Sequence, residues 1–532
     1  MMTPSISVFF LQSHVLLISI AIILSVGAVC WIGIRRGQSA TATVLIPLIC
    51  LYALLVALVA PVPSPMDESA HYAYIESLAV YHRLPILTDQ VDPYILAIAQ
   101  GTYPKAPTSP AQYSGTRGIQ YESLQPPLYY LSAVPVYLVG SPNHLAKLYA
   151  LRVYSVVLLA LALWALCRMT LALGAASRLA VPLWLPYAMV VFLGFIPTVV
   201  VRSASVSNYA LSLLLSVVFW WYAASLFAPV ESNSRYVFLH RYPGVLFGTL
   251  LAAVVLTRFV AYIYIPAALI LLVYWCWYYR LTWSASLRQV TALFGVLTLL
   301  VAPWIGFNYY HYGAPTATGP TMVRMYDSSH PVGVVLGWDN YVLPTLYPFF
   351  LQSFYAPDER YAIAKPPVLP TIPYIALDRL ALVPSIIFLI AALWVLCRAS
   401  GGLWQSARSG IQTLRDPQYV PLVIAATALG LFVVGIAQHM LGTLYADWPL
   451  LFGRYLHAYL GAMLVIFTIS TSLLSRGRYR SIIVILAICL PVVSATQALL
   501  YSRELSNLPT IEETRKDMNK KVSPLPIAPA KR

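Results

Sequence analysis

Charge is what this sequence has least of. Only 10% of its 532 residues are Asp, Glu, Lys or Arg, against about 25% in an ordinary soluble chain. That shortage, together with apolar runs of ~17–25 residues along the whole length, excludes a soluble enzyme with a single anchor, because each run can cross a bilayer as a helix. Paired cysteines are also missing. Cys30, Cys50, Cys167, Cys276, Cys397 and Cys489 all lie in or beside apolar runs, and none forms a CxxC pair. Buried packing is their expected role, not metal or disulfide use. There is no Walker loop, no GxGxxG after a strand, no HExxH, no GxSxG in a suitable context and no N-x-Ser/Thr sequon. The alternating ten-residue segments of a membrane β-barrel are absent as well.

What remains is apolar helix. The chain is 60% hydrophobic with a mean hydropathy of +0.74. It reads as an all-α polytopic integral membrane protein with about twelve spans, at 9–34, 42–62, 148–168, 180–200, 208–228, 244–259, 261–279, 289–307, 376–397, 418–440, 455–474 and 481–500. The first run has no small-residue cleavage site followed by a soluble domain, so a removable signal peptide is not expected. The net charge of +15 does not predict nucleic-acid binding. No basic stripe sits on a soluble domain, and the cations are spread over short loops, as they are when they fix membrane orientation.

Segment 125–142, QPPLYYLSAVPVYLVGSP, is apolar but short and broken by prolines. If it lies on the surface, one side of the membrane receives fourteen arginines, from Arg35 and Arg36 to Arg476, Arg478 and Arg480, against only Glu231 and Asp416. Such a side is cytoplasmic. If it spanned, Arg35 and Arg36 would face away from the other twelve. The expected architecture therefore has juxtamembrane helices on the outer face and both termini outside, with a polar, disordered tail at 501–532.

Two long loops then face outward. Loop 63–147 carries Asp67, Glu68, Glu76, Asp89, Asp92 and Glu122, and loop 308–375 carries Asp327, Asp339, Asp358 and Glu359. Connections of this length are usually functional. The spans hold almost no carboxylates in their middles, which tells against an ion-coupled transporter. A transporter or flippase, or a non-catalytic membrane scaffold, is the alternative reading.

The stretch SPMDESAH has two accounts. In one it is a helix start: Ser64 caps, Pro65 takes the first helical position, and Asp67 falls in a capping-box position. In the other, Asp67 is a general base at the lipid–water boundary. On a helix Asp67 and His71 share a face, and His71 would orient the carboxylate or bind phosphate. A divalent metal between them is a further option, resting on few ligands without fixed spacing.

PMDESAHYAYIESLAVYHRLPIL resembles the first outer loop of polytopic glycosyltransferases of the GT-C superfamily, such as protein O-mannosyltransferases and aminoarabinose transferases. Their pattern there is an acidic pair, then an aromatic-rich amphipathic helix, then Leu-Pro. YESLQPPLYYL resembles the Pro-Pro-Leu juxtamembrane segment of that family. LTRFVAYIYIP, APWIGFNYYHYGAPT and LFGRYLHAYL resemble later landmarks in the same order. The resemblance covers most of 42–475. It implies transfer of a sugar from a polyprenyl-phosphate carrier to a lipid, glycan or protein acceptor on the outer leaflet, with inversion at the anomeric carbon. It makes Asp67 the base, with Glu68 as second choice. The leaving phosphate would fall to Arg454, Arg258, Arg324 or Arg202; snorkelling is the bland account of Arg454 and Arg258. Gln125, Tyr129 and Tyr455 join the substrate-binding set, although most aromatics here suit an interfacial belt.

Two departures stand out. Gln125 replaces the His or Lys that the family often places before Pro-Pro-Leu, so it cannot neutralise phosphate. The run 9–34 is additional. On this reading 1–41 is an N-terminal helix and cytoplasmic turn, 42–307 the catalytic membrane module, 308–375 the second outer loop and 376–500 the C-terminal helices. A nucleotide-sugar donor is disfavoured, because the cytoplasmic loops hold two carboxylates in all. No organic cofactor is expected. The expected location is the plasma (inner) membrane of a prokaryote, with the site facing the periplasm or exterior.

Overall fold

The structure is a computed structural model that describes residues 40–60, 67–87, 89, 120–140, 143–177, 181–182, 184–229, 240–316, 414–445 and 457–474, with single positions within 21–29 and 393–401. It is mostly helical, 84%, with no strand among the described residues. In chain order the helices are α1 (Ala40–Val59), α2 (Glu68–Val80), α3 (Leu128–Val139), α4 (His144–Ser177), α5 (Leu185–Gly194), α6 (Pro197–Ser203), α7 (Tyr209–Ser225), α8 (Pro243–Val255), α9 (Tyr264–Tyr278), α10 (Trp283–Tyr312), α11 (Val420–Tyr445) and α12 (Leu460–Leu474).

Among the described residues four segments are long and apolar enough to cross a membrane: His144–Ala176, Val260–Tyr278, Trp283–Tyr312 and Val420–Gln438. Helix α10 shows how its ends are set. The Thr282 hydroxyl caps its start by accepting from the Ala285 N–H at 3.3 Å. Gly313, in the left-handed region at φ 68°, ends it by donating its N–H to the Tyr309 carbonyl.

Most expected spans coincide with described helices. The run 180–200 instead forms two pieces, α5 and α6, because Ile196 is extended at ψ 119° ahead of Pro197. A residue before proline is pushed out of the helical region. Helix α3 falls within segment 125–142 and has 12 residues. That is about 18 Å at 1.5 Å per residue, short of a hydrocarbon core of ~30 Å. The expected spans 9–34, 376–397 and 481–500, loop 308–375 beyond its first residues, and the tail lie outside the described residues, apart from single positions.

Two cores form. The larger gathers α1, α4, α5, α7, α8, α9, α11 and α12 around buried side chains such as Leu163, Val190, Trp220 and Leu271. The smaller lies where α2 and α3 sit against α4 and α7, built on Tyr72, Tyr74, Tyr129, Tyr130 and Leu151. Close approach in the larger core depends on glycine. A Cβ at Gly248 of α8 would lie 2.6 Å from the Leu293 carbonyl of α10, and one at Gly461 of α12 would lie 2.5 Å from the Ser216 hydroxyl of α7.

Candidate active site

Helix α2 differs from the amphipathic surface helix that the sequence suggested. Ten of its 13 residues are buried, Glu68, His71 and Glu76 among them. A carboxylate tolerates such burial only when paired and hydrogen-bonded. Each of these has its partners. Glu68 receives two bonds from Arg152 of α4, Nε to Oε1 at 2.9 Å and Nη2 to Oε2 at 2.6 Å. Its Oε1 also accepts the Val206 N–H at 2.8 Å. His71 Nδ1 lies 2.9 Å from the Tyr130 hydroxyl and 3.5 Å from Glu122 Oε2. Tyr137 donates to Glu76 Oε1 at 2.8 Å, with His144 Nδ1 3.5 Å from the same oxygen.

Asp67 sits immediately before this helix. Its backbone is left-handed, φ 68° and ψ 1°, and its side chain makes no cap hydrogen bond. Helix α2 starts at Glu68 with Asp67 at its N-cap position, not inside the first turn as the expected capping box had it; Ser64 and Pro65 lie outside the described residues. What Asp67 contributes to the turn is its carbonyl, which accepts the N–H groups of Ala70 and His71 at 3.0 and 3.1 Å. A left-handed conformation costs about 1–2 kcal/mol for most residues and less for Asp. It persists where surrounding structure holds it, commonly at functional sites. Asp67 is also less buried than Glu68.

A basic aromatic cluster adjoins this acidic layer. Tyr209 opens α7. The guanidinium carbon of Arg258 lies 4.2 Å from its ring centroid and that of Arg202 lies 5.0 Å away. His457 packs edge-on to the same ring at 5.4 Å, with its Nε2 3.4 Å from the Thr198 hydroxyl. Arg202, Arg258 and His457 are all buried. Each is placed by its own backbone. Arg202 lies in the last turn of α6, and its carbonyl accepts the hydroxyls of Ser205 and Ser207. Arg258 is extended between α8 and a 3-10 turn, after Thr257, whose carbonyl takes the Asn208 amide at 3.3 Å. His457 is fixed by the start of α12, where Tyr264 donates to the Ala458 carbonyl and Gly461 donates to Ser216.

The turn 204–208 joins the two halves. Val206 bonds to Glu68, while Ser205 and Ser207 bond to the Arg202 carbonyl. Gln125 reaches the same place, with its Oε1 3.5 Å from the Asn208 amide. The acidic helix and the cationic cluster therefore meet at this turn.

Several expected site residues are brought together here and others are not. Gln125 and Arg258 border the junction, Asp67 directly precedes Glu68, which bonds to the same turn, and Arg202 belongs to the basic cluster. Glu68 does not fit the role of alternate base, since both oxygens are taken by Arg152 and Val206. Tyr129 is wholly buried and bonds to the Ser207 N–H at 3.1 Å and the Ser155 hydroxyl at 3.3 Å, so it braces the turn instead of facing a ligand. His71 turns to Tyr130 and Glu122. Arg324, Arg454 and Tyr455 lie outside the described residues. Among the described residues no group of three or more His, Cys, Asp or Glu side chains is placed to hold a metal ion.

The sequence reading passed over Arg152, Tyr209, His457 and the acid pairings of α2. Arg152 carried a usable signal. It is a guanidinium in an apolar helix with no acid within four residues on either side, so its counter-charge had to come from another element. No family model, curated protein or solved structure matches this chain.

Proposed function

We propose that this protein is a GT-C-type membrane glycosyltransferase of about twelve spans that moves a sugar from a polyprenyl-phosphate carrier to a lipid, glycan or protein acceptor on the outer face of the membrane. The observation that carries this reading is that Asp67, held in a left-handed turn, directly precedes Glu68, which bonds to the turn 204–208, and that this turn leads from Arg202 to Tyr209, on whose ring Arg202 and Arg258 gather. In the reaction Asp67 takes the proton of an acceptor hydroxyl or amine. The freed electron pair forms the new bond to the anomeric carbon from the face opposite the phosphate. The anomeric C–O bond breaks, and polyprenyl phosphate leaves with that electron pair. Arg258 and Arg202 oppose the charge gathering on the phosphate oxygens, where preorganised donors in a dry site act most strongly. Guanidinium suits phosphate because it offers parallel N–H donors.

The test is turnover by the full chain in lipid nanodiscs, given a panel of polyprenyl-phosphate sugars, with release of polyprenyl phosphate as the signal. Turnover that disappears in Asp67→Asn supports the reading. Full activity of Asp67→Asn removes Asp67 as base, and no turnover with any donor refutes the transferase.

A further inference from the structure

One guanidinium holds the chain on both sides of Asp67. Arg152 sends Nη1 to the Ala57 carbonyl at 2.6 Å and the Ala60 carbonyl at 3.3 Å, at the C-terminal end of α1. Its Nε and Nη2 hold Glu68, the first residue of α2. Ala60 and Glu68 bracket the connection that carries Asp67. The end of a helix leaves carbonyls without intrahelical donors, and Arg152 supplies donors to that end of α1. The Glu68 oxygen shared with the Val206 N–H extends the same clamp to the turn that leads from Arg202 to Tyr209.

We propose that Arg152 is the positioning residue of this site: it fixes Asp67 in its left-handed turn and sets the distance between that carboxylate and the arginine cluster. A hydrophobic pair of similar size can replace a buried ion pair without loss of stability. Stability alone therefore does not account for a clamp with this many directed bonds, whereas register does. Arg152 also has the reach for the task, since its planar fork serves Glu68 and two carbonyls at once, which a lysine ammonium cannot do in the same geometry.

The kinetic arm of this inference rests on the transferase reading; its structural arm does not. The experiment compares the parent, Arg152→Lys, and the double variant Glu68→Leu with Arg152→Met, all full-length in nanodiscs. The double variant leaves no unpaired buried charge, so it keeps the stability that Arg152→Met alone would lose. Hydrogen exchange is read at Ala70 and His71, whose N–H groups bond to the Asp67 carbonyl. The expected result is exchange about 10-fold or more faster there in the double variant, with α7 and α12 unchanged. It should also show kcat about 100-fold lower with donor KM within about 2-fold, the signature of a misplaced group. Arg152→Lys should fall between. A double variant with parental exchange at these amides, or with looser exchange but parental kcat, overturns the proposal. If the parent turns over no donor, the transferase reading fails and the exchange result by itself decides whether Arg152 holds the turn.

Discussion

Glu68 and Arg152 stand 84 residues apart in the chain, yet share a two-bond ion pair of 2.6 and 2.9 Å with neither side chain exposed. The pair joins the entry of α2 to the long helix α4, and through Val206 to the loop ahead of α7. Arg152→Met alone strands the Glu68 carboxylate in the core. It should cost about 3–5 kcal/mol, measured by thermal unfolding in detergent. A loss below 1 kcal/mol would mean that water or another cation reaches Glu68.

Asp67 separates two roles. A carboxylate serving as a helix cap loses about 0.5–2 kcal/mol when truncated. Its side chain makes no cap bond here, so Asp67→Asn should escape that cap loss and abolish transfer in a chain that still folds. Asp67→Gly should be no less stable than Asp67→Val, because glycine adopts φ 68° without strain and a β-branched residue does not. The reverse order would show that the left-handed turn is absent in solution.

The arginine pocket should appear in donor affinity. Arg258→Ala removes the guanidinium nearest the Tyr209 ring. A hydrogen bond to a charged group contributes about 1.5–3 kcal/mol, so donor KM should rise roughly 10- to 100-fold. Arg258→Lys should recover part of that, since it returns the charge without the fork. Unchanged KM in both would move the phosphate elsewhere.

Helix α8 tolerates no added bulk against α10. With the position of a Cβ at Gly248 only 2.6 Å from backbone, Gly248→Leu forces the two helices apart. Overpacking of this kind costs about 1–3 kcal/mol, read as a lower melting temperature. Gly295, with open space at its Cβ, is the control: Gly295→Ala should be neutral or stabilising, since it lies inside a helix.

Alkaline pH should loosen the acidic layer first. Burial, followed by Tyr312 and Glu122, holds the Tyr74 phenol well above its ordinary value of 10.0. Burial, then Glu122 and Tyr74, does the same for Tyr130. The folded state therefore keeps these phenols neutral, while the unfolded chain ionises near 10. Their stabilising effect is complete below that value and is lost as pH rises beyond it toward the folded values. Melting temperature followed from pH 9 to 11 should fall less steeply in Tyr74→Phe, where one of these ionisations is gone.

How much of this was legible in the sequence depends on distance along the chain. Apolar runs announced helices because each run meets its need for burial locally, and α1, α4, α7, α9, α10 and α11 lie where the runs placed them. The break between α5 and α6 was not expected within the single run 180–200, although the effect of Pro197 on the preceding residue is local. Asp67 stood out by its place at the end of an apolar run.

The partnerships were decided elsewhere. His71 looked like a companion of Asp67 because both lie on one helical face, yet Tyr130 and Glu122, 59 and 51 positions further on, occupy its ring nitrogen. Glu68 looked like a spare base beside Asp67, yet α4 brings Arg152 against it. Tyr129 looked like a ligand-facing aromatic, and the turn at Ser207 claims its hydroxyl. A sequence declares which residues carry charge and which segments must leave water. Which buried acid meets which base is settled only when several helices close around them, because in a medium with little water each charge takes the nearest partner in space, not along the chain.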